Sequence, residues 1–367
     1  MARLSGAEID RLLSLVEATP AFRPLLDAAF SGFSRQERRR RLVNRCESET
    51  FVCLKNIFAS ERFDDIILRE YAALSEPLQE IYKLVAAMEN AGIRVHRQFV
   101  IRFLGIAAQK VMSVLDQLED IIAEYTIDSR ESVYGWRGRH PVIVEIIARY
   151  KFNDMDKIVD LFNRAIDHIS PTYEVEVRSM RDLCNLESGI PRIPDKAVQN
   201  TLFRKMMSAA PSERVPRHRL VRNLIDMGEY EKAETEIRIF QSDFRTDGPI
   251  ARYKLALMIA RAMKTPGIMV EDRVSILEEA RSYVSSALER YRTHKHFLST
   301  YCELGIAFYK LTARLDVFDA AIAELKSAEV RLGDPEITKI VRRFERRMSA
   351  EPAPDQEPDF WGGLEAV

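Results

Sequence analysis

Along most of this chain apolar residues recur at intervals of three and four, the spacing of helices that bury one face. In SGAEIDRLLSLVEA, Ile9, Leu12, Leu13 and Val16 share such a face, and Ser5 with Glu8 forms a capping box that starts the helix. Ser34 and Glu37 predict a second cap, opening a helix through FSRQERRRRLVNRCE. ETFVCLKNIFA and RFDDIILREYAAL supply two more short helices, so residues 1–74 read as a small helical domain. Ser75 and Pro77 begin SEPLQEIYKLVAAMENAG, whose Leu78, Ile81, Tyr82, Val85 and Met88 make one stripe ending at Gly92. VHRQFVIRFLG and AAQKVMSVLDQLEDI continue as a second and a third helix. The pattern then changes. In IIAEYTIDSRESVYGWRGRHPVIVEII, β-formers flank a polar turn, as a two-stranded ribbon requires. Three helices and a ribbon outline a winged-helix domain over 75–140, with a bare helical bundle as the alternative.

From 141 to 345 helices follow one another through short polar turns, and two segments repeat one plan. HRLVRNLIDMGEYEKAETEIRIFQSDFRTDGP sets two helices around DMGEY, with Ala233 at their crossing. HFLSTYCELGIAFYKLTARLDVFDAAIAELKSAEVRLGDPEI places Leu304, Gly305, Phe308, Ala321 and Ala328 in corresponding positions. Small residues there let paired helices approach closely. The spacing departs from a strict 34-residue period, so the region reads as a tetratricopeptide-like α-solenoid, with an irregular helical array as the alternative. The fold class expected is therefore mainly α: a helical bundle and winged-helix element followed by that solenoid, elongated overall. Residues 346–367 read as a disordered acidic tail, in which Phe360 and Trp361 are candidate anchors for a groove.

Composition narrows the function classes. The chain has 367 residues, and 55 Lys and Arg against 56 Asp and Glu leave a net charge of −1, so only a local patch could attract nucleic acid. Four scattered cysteines form neither a disulfide framework nor a zinc site. With no apolar signal core and no membrane-length apolar run, a cytoplasmic protein without a membrane partner is expected.

Chemistry is sparse. There is no phosphate-cradling glycine loop and no Cys/His array, so no catalytic residue, metal ligand or cofactor is assigned. Asp64 and Asp65 read as capping or surface ion-pairing residues, and His294 and His296 as surface residues at a turn. The run Arg38 to Arg41 spreads around a helical turn, so it reads either as a basic surface or as an ion-paired face. Candidate contacts to nucleic acid or to an acidic partner are Arg38, Arg39, Arg41, Arg97, Arg137 and Arg139. Against them, Asp116, Glu119 and Asp120 crowd the helix that would read the groove. Candidate groove residues on the repeats are Arg217, Arg219, Arg222, Asn223, Arg252, Tyr253, Lys254, Tyr301 and Glu303.

Three of these stretches together resemble the region that follows the nucleotide-binding core in bacterial STAND-type ATPases. FVCLKNIFASERFDDIILREYAAL resembles their helical lid, and LQEIYKLVAAMENAGIRVHRQFVIRFLGI with YGWRGRHPVIVEII their winged helix. The repeats resemble their sensor arrays, and the likeness spans roughly residues 36–345. The P-loop core itself is missing. The resemblance implies a nucleotide-sensing role for His140, whose counterpart in relatives touches a β-phosphate. It also implies a fragment of such an ATPase, a split partner completing one with a nucleotide-binding subunit in trans, or a derivative turned to protein binding. The function expected is a non-catalytic adaptor or sensor that binds a protein effector or peptide, in bacterial antiviral defence or signalling by resemblance. The alternatives are a nucleic-acid-binding winged-helix regulator and a subunit of a split ATPase.

Overall fold

A computed structural model describes residues 3–119, 121–130, 132–152 and 154–349. It divides into two compact units, residues 1–183 and 184–367. Asp120, Phe360 and Trp361 lie outside the described residues, as does the expected tail from 350 onward.

The amino-terminal unit opens with α1 (Gly6–Ala18), α2 (Ala28–Gly32), α3 (Arg35–Asn44), α4 (Thr50–Ile57) and α5 (Ser60–Ala73). The Ser5–Glu8 capping box forms as the sequence implies. Ile9, Leu13, Val16, Phe30, Leu42 and Ile57 close a small core among these helices. Next come α6 (Glu76–Asn90), β1 (Val95–His96), α7 (Arg97–Leu104), α8 (Val111–Gln117), β2 (Ile122–Asp128) and β3 (Val133–Gly138). The expected stripe on α6 is buried throughout. The ribbon forms, and it gains a third strand that the sequence pattern does not predict. Val95 and His96, expected inside a helix, pair antiparallel with Trp136 and Gly135, giving the order β1-β3-β2. Two residues are too few to display an alternation. Trp136 is buried, and its Nε1–H donates to Glu124 at 2.9 Å. Gly135 lies so close to the Tyr125 ring that a Cβ would stand 2.7 Å from it.

The unit ends with α9 (Pro141–Lys151), α10 (Met155–His168) and α11 (Glu174–Leu183). The division between the two units falls after Leu183, and α9 buries Ile143, Val144, Ile146 and Ile147 and packs on α6 and β3. On α11, Glu176 is 1% exposed. It accepts from His96 Nδ1–H at 2.8 Å, from the Ser170 N–H at 2.6 Å, and from Arg102 Nη2. Burial pushes this carboxyl up, but the donors outweigh burial and hold it below the ordinary carboxylate range.

The carboxy-terminal unit contains α12 (Lys196–Ala209), α13 (Val215–Asp226), α14 (Tyr230–Asp243), α15 (Gly248–Lys264), α16 (Val270–Tyr291), α17 (Lys295–Thr312), α18 (Asp316–Leu332) and α19 (Pro335–Ser349). Because α19 continues to Ser349, residues 346–349 are helical rather than part of the tail expected from 346. Consecutive helices form antiparallel-type pairs through short turns, and α13, α15 and α17 also pack directly on one another. Each second helix lies between its own partner and the next first helix: α14 between α13 and α15, α16 between α15 and α17, α18 between α17 and α19. Ala233, Ala321 and Ala328 are fully buried. A Cβ at Gly305 would stand 2.4 Å from the Phe318 Cα, so the α17–α18 crossing is closed by backbone contact.

Two stability outcomes follow from this packing. Gly305→Ala forces α17 and α18 apart and costs about 1–3 kcal/mol, seen as a lower urea midpoint by circular dichroism; an unchanged midpoint would refute the close crossing. Glu176→Ala strands His96 and Arg102 without their carboxylate and costs about 3 kcal/mol, measured in the same way.

Candidate functional site

The arginine run has its partners on α1 and within α3. Arg38 Nη1 meets Glu17 at 3.3 Å while its Nε donates to the Phe30 carbonyl at 3.1 Å. Arg39 Nε donates to Asp10 at 2.9 Å. Arg41 bonds Glu37 at 3.3 Å, with its guanidinium 3.5 Å from the Phe33 ring centroid. These contacts follow from α3 lying beside α1. Two of the other basic candidates are ion-paired, and the third, Arg137, is exposed beside an aromatic ring. Arg97 pairs with Glu124 and lies over Tyr134, Arg139 pairs with Glu70, and Arg137 lies over Tyr125. Carboxylates therefore offset much of the positive potential that a phosphate backbone would require.

His140 is the N-cap of α9. Its Nδ1 accepts the Val142 N–H at 3.2 Å, so the Nε2 proton points to Glu49 Oε1, also at 3.2 Å. Burial lowers its pKa, which favours this neutral form. Asp64, expected at the surface, is 4% exposed and pairs with Arg149, with the Tyr150 hydroxyl donating to it at 3.1 Å. Helix α9, which carries Arg149, packs on α5 and seals it.

In the carboxy-terminal unit most residues expected to line a groove lie between helices. Arg252, Tyr253, Tyr301 and Glu303 are buried, as is Asn223, whose Nδ2 donates to Gln199 at 2.6 Å and to Asn200 at 3.2 Å. Glu303, 1% exposed, bonds Arg347 of α19 at 2.5 Å, and Arg343 donates to Ser299 at 3.3 Å. Their burial has a simple cause: α17 is packed by α15, α16, α18 and α19, so every side chain from His296 to Phe308 is covered. Arg217 reaches Asp243 at 3.4 Å and also stays inside the α13–α14 pair.

Four of the expected residues, Arg219, Arg222, Asn223 and Lys254, border open space. Arg219 and Arg222 line a cavity of about 200 Å³ between α12 and α13, together with Lys196 and Asp226. Lys254, stacked over Tyr283, borders a groove of about 460 Å³ among α14, α15 and α16, with Ile237 and Leu257 as its apolar lining and Arg238, Arg261 and Glu234 as polar lining. Burial lowers the Arg222 pKa, Tyr253 and Asp226 oppose the shift, and Arg219 and Arg252 add to it.

The sequence places His294 and His296 at a turn, but does not reveal that His218 of α13 meets Asp247, the N-cap of α15. His218 Nε2 lies 3.0 Å from Asp247 Oδ2, and the His294 and His296 rings are 5.8 Å apart. Residues two apart on a helix diverge, but His294 precedes α17 as its N-cap, accepting the Phe297 N–H at 3.1 Å. His296, expected at the surface, is 7% exposed. Burial, then Arg252, His294 and Lys295, push its pKa down to about 4, and Glu336 opposes. Among the described residues no group of three or more His, Cys, Asp and Glu is placed to hold a metal ion. No helix among them is long and apolar enough to cross a membrane. Comparison with protein-family models, curated proteins and solved structures gives no match to the chain.

The depressed His296 pKa sets a pH dependence. An unfolded imidazole takes up its proton near pH 6.5, while the folded one resists until about 4. The unfolded chain thus binds more protons in that window, and stability falls as pH falls through it. Across the window the loss from His296 is on the order of 3 kcal/mol. His296→Gln has no such proton to take up, so wild type should lose more stability in urea unfolding between pH 7 and pH 4 than the variant does. Parallel pH profiles would show that His296 keeps an ordinary pKa in the fold.

Proposed function

We propose that this chain is a protein-binding adaptor or sensor, built on tetratricopeptide-like helical hairpins and carrying a winged-helix-type element in its amino-terminal unit. The observation that supports it most is the stacking of α13, α15 and α17, with each second helix wedged between its partner and the next pair. Hairpins stacked in this way form side-by-side clefts suited to a peptide or a partner helix. The cavity between α12 and α13 and the groove among α14, α15 and α16 are two of them. The winged-helix reading draws on the order α6, β1, α7, α8, β2, β3 and on the pairing of the short first strand with β3. That order also fits the resemblance to the post-nucleotide region of STAND-type ATPases, and a setting in signalling or defence rests on that resemblance alone.

The engaged state of Arg38, Arg39, Arg41, Arg97 and Arg139 favours a protein partner over a nucleic acid. Capture on the full chain from the native cell extract, with and without nuclease, followed by reconstitution with the purified partner, tests the reading. The expected result is a specific protein complex that survives nuclease and weakens only modestly between 50 and 200 mM salt. Association that disappears with nuclease, or ATP hydrolysis by the clean chain alone, would overturn it.

A further inference from the structure

Arg219 and Arg222 stand one turn apart on α13, on the face that borders the α12–α13 cavity. Arg219 is held at one edge only. Its Nε donates to the Cys184 carbonyl at 2.9 Å, and the residue is half-buried. Among the described residues no protein acceptor meets its Nη1 or Nη2. A guanidinium fixed through Nε and open at both terminal nitrogens presents two parallel donors, the geometry that grips two oxygens of one anion. The cavity's carboxylate, Asp226, is engaged by Lys196 at 2.7 Å. Arg252 on α15 adds positive field to Arg222.

The walls are fixed as well. Gln199 donates to the Pro191 and Ile193 carbonyls at 3.2 and 2.5 Å and accepts from Asn223 at 2.6 Å. The donors around the cavity are therefore pre-positioned rather than free to collapse. At about 200 Å³ the space lies below the usual range for a drug-sized or cofactor ligand, and suits the end of one side chain.

We propose that this cavity binds a single oxyanion group, a carboxylate or a phosphate, carried by a peptide segment of the partner. Arg219 Nη1 and Nη2 hold two of its oxygens, and Arg222 borders the same cavity. The proposal rests on the adaptor reading and names the chemistry of its ligand. An acidic residue and a phosphorylated one share that chemistry, and the test separates them.

Saturation-transfer NMR on the full chain reads binding of phosphoserine, N-acetylglutamate and, as the neutral control, N-acetylglutamine. Wild type should bind at least one of the two anions saturably, with inorganic phosphate competing and the neutral compound not binding. The preferred anion identifies the source. Arg219→Gln should weaken that binding by about tenfold or more, Arg219→Lys should weaken it less by keeping charge without the fork, and Arg238→Gln on α14 should leave it unchanged. No saturable anion binding to wild type, equal binding by Arg219→Gln, or equal binding of the neutral control would overturn the proposal. If Arg219→Gln fails to fold, phenylglyoxal labelling of wild type decides: anion-dependent protection of Arg219 supports the site, and unprotected Arg219 ends it. Partner capture that is nuclease-resistant while the anions fail to bind ends the cavity proposal alone and leaves the adaptor reading standing.

Discussion

A carboxylate sealed from water must be answered by donors or positive charge inside the protein, because desolvation of the charged form costs several kcal/mol. Each compact unit contains such groups. Glu176 gathers His96, Arg102 and the Ser170 N–H, which joins α11 to β1 and α7. Glu303 gathers Arg347, which seats α19 across α17. Neither carboxylate is tolerable where it stands unless the helix bearing its partner is docked, so these pairs tie local structure to tertiary order. Ser179, whose hydroxyl donates to the Arg94 carbonyl at 3.0 Å, fastens the same α11 face a turn further on.

The same accounting applies to the arginine run of the amino-terminal unit. Within that run, positive charge is met by specific carboxylates. Arg38 and Arg39 staple α3 to α1 through Glu17 and Asp10, while Arg41 stays within its own helix on Glu37 and Phe33. Exposed pairs of this kind add little stability, yet they consume the cations that a nucleic-acid contact would use. The α12–α13 cavity differs because its carboxylate pairs with Lys196, while Arg219, which lines it, is hydrogen-bonded through Nε to the Cys184 carbonyl.

Helix stacking supplies the other half of the architecture. Gly305 against the Phe318 backbone, with Ala321 and Ala328 fully buried, brings α17 and α18 into close approach. Once the first helices of successive pairs also touch, their polar residues are enclosed from more than one side. Ser299, Thr300 and Glu303 on α17 are buried for this reason, although their residue types suggest a solvent-facing stripe.

Local periodicity alone was enough to specify the helices, the α1 capping box, the α6 stripe and the β2–β3 ribbon, because each depends on residues within a few positions of one another. It also indicated close-crossing positions at Ala233, Gly305, Ala321 and Ala328, since small residues at helical spacing carry that meaning by themselves. The third strand at Val95–His96 was decided by long-range pairing with β3, which no two-residue pattern can encode. Which cations face water was likewise decided in three dimensions. Arg38 and Arg39 find carboxylates 21 and 29 residues away, and Arg252 and Glu303 are enclosed by packing, whereas Arg219 lines the α12–α13 cavity. Charge and spacing in the chain specify what each side chain can do; only packing determines what it meets.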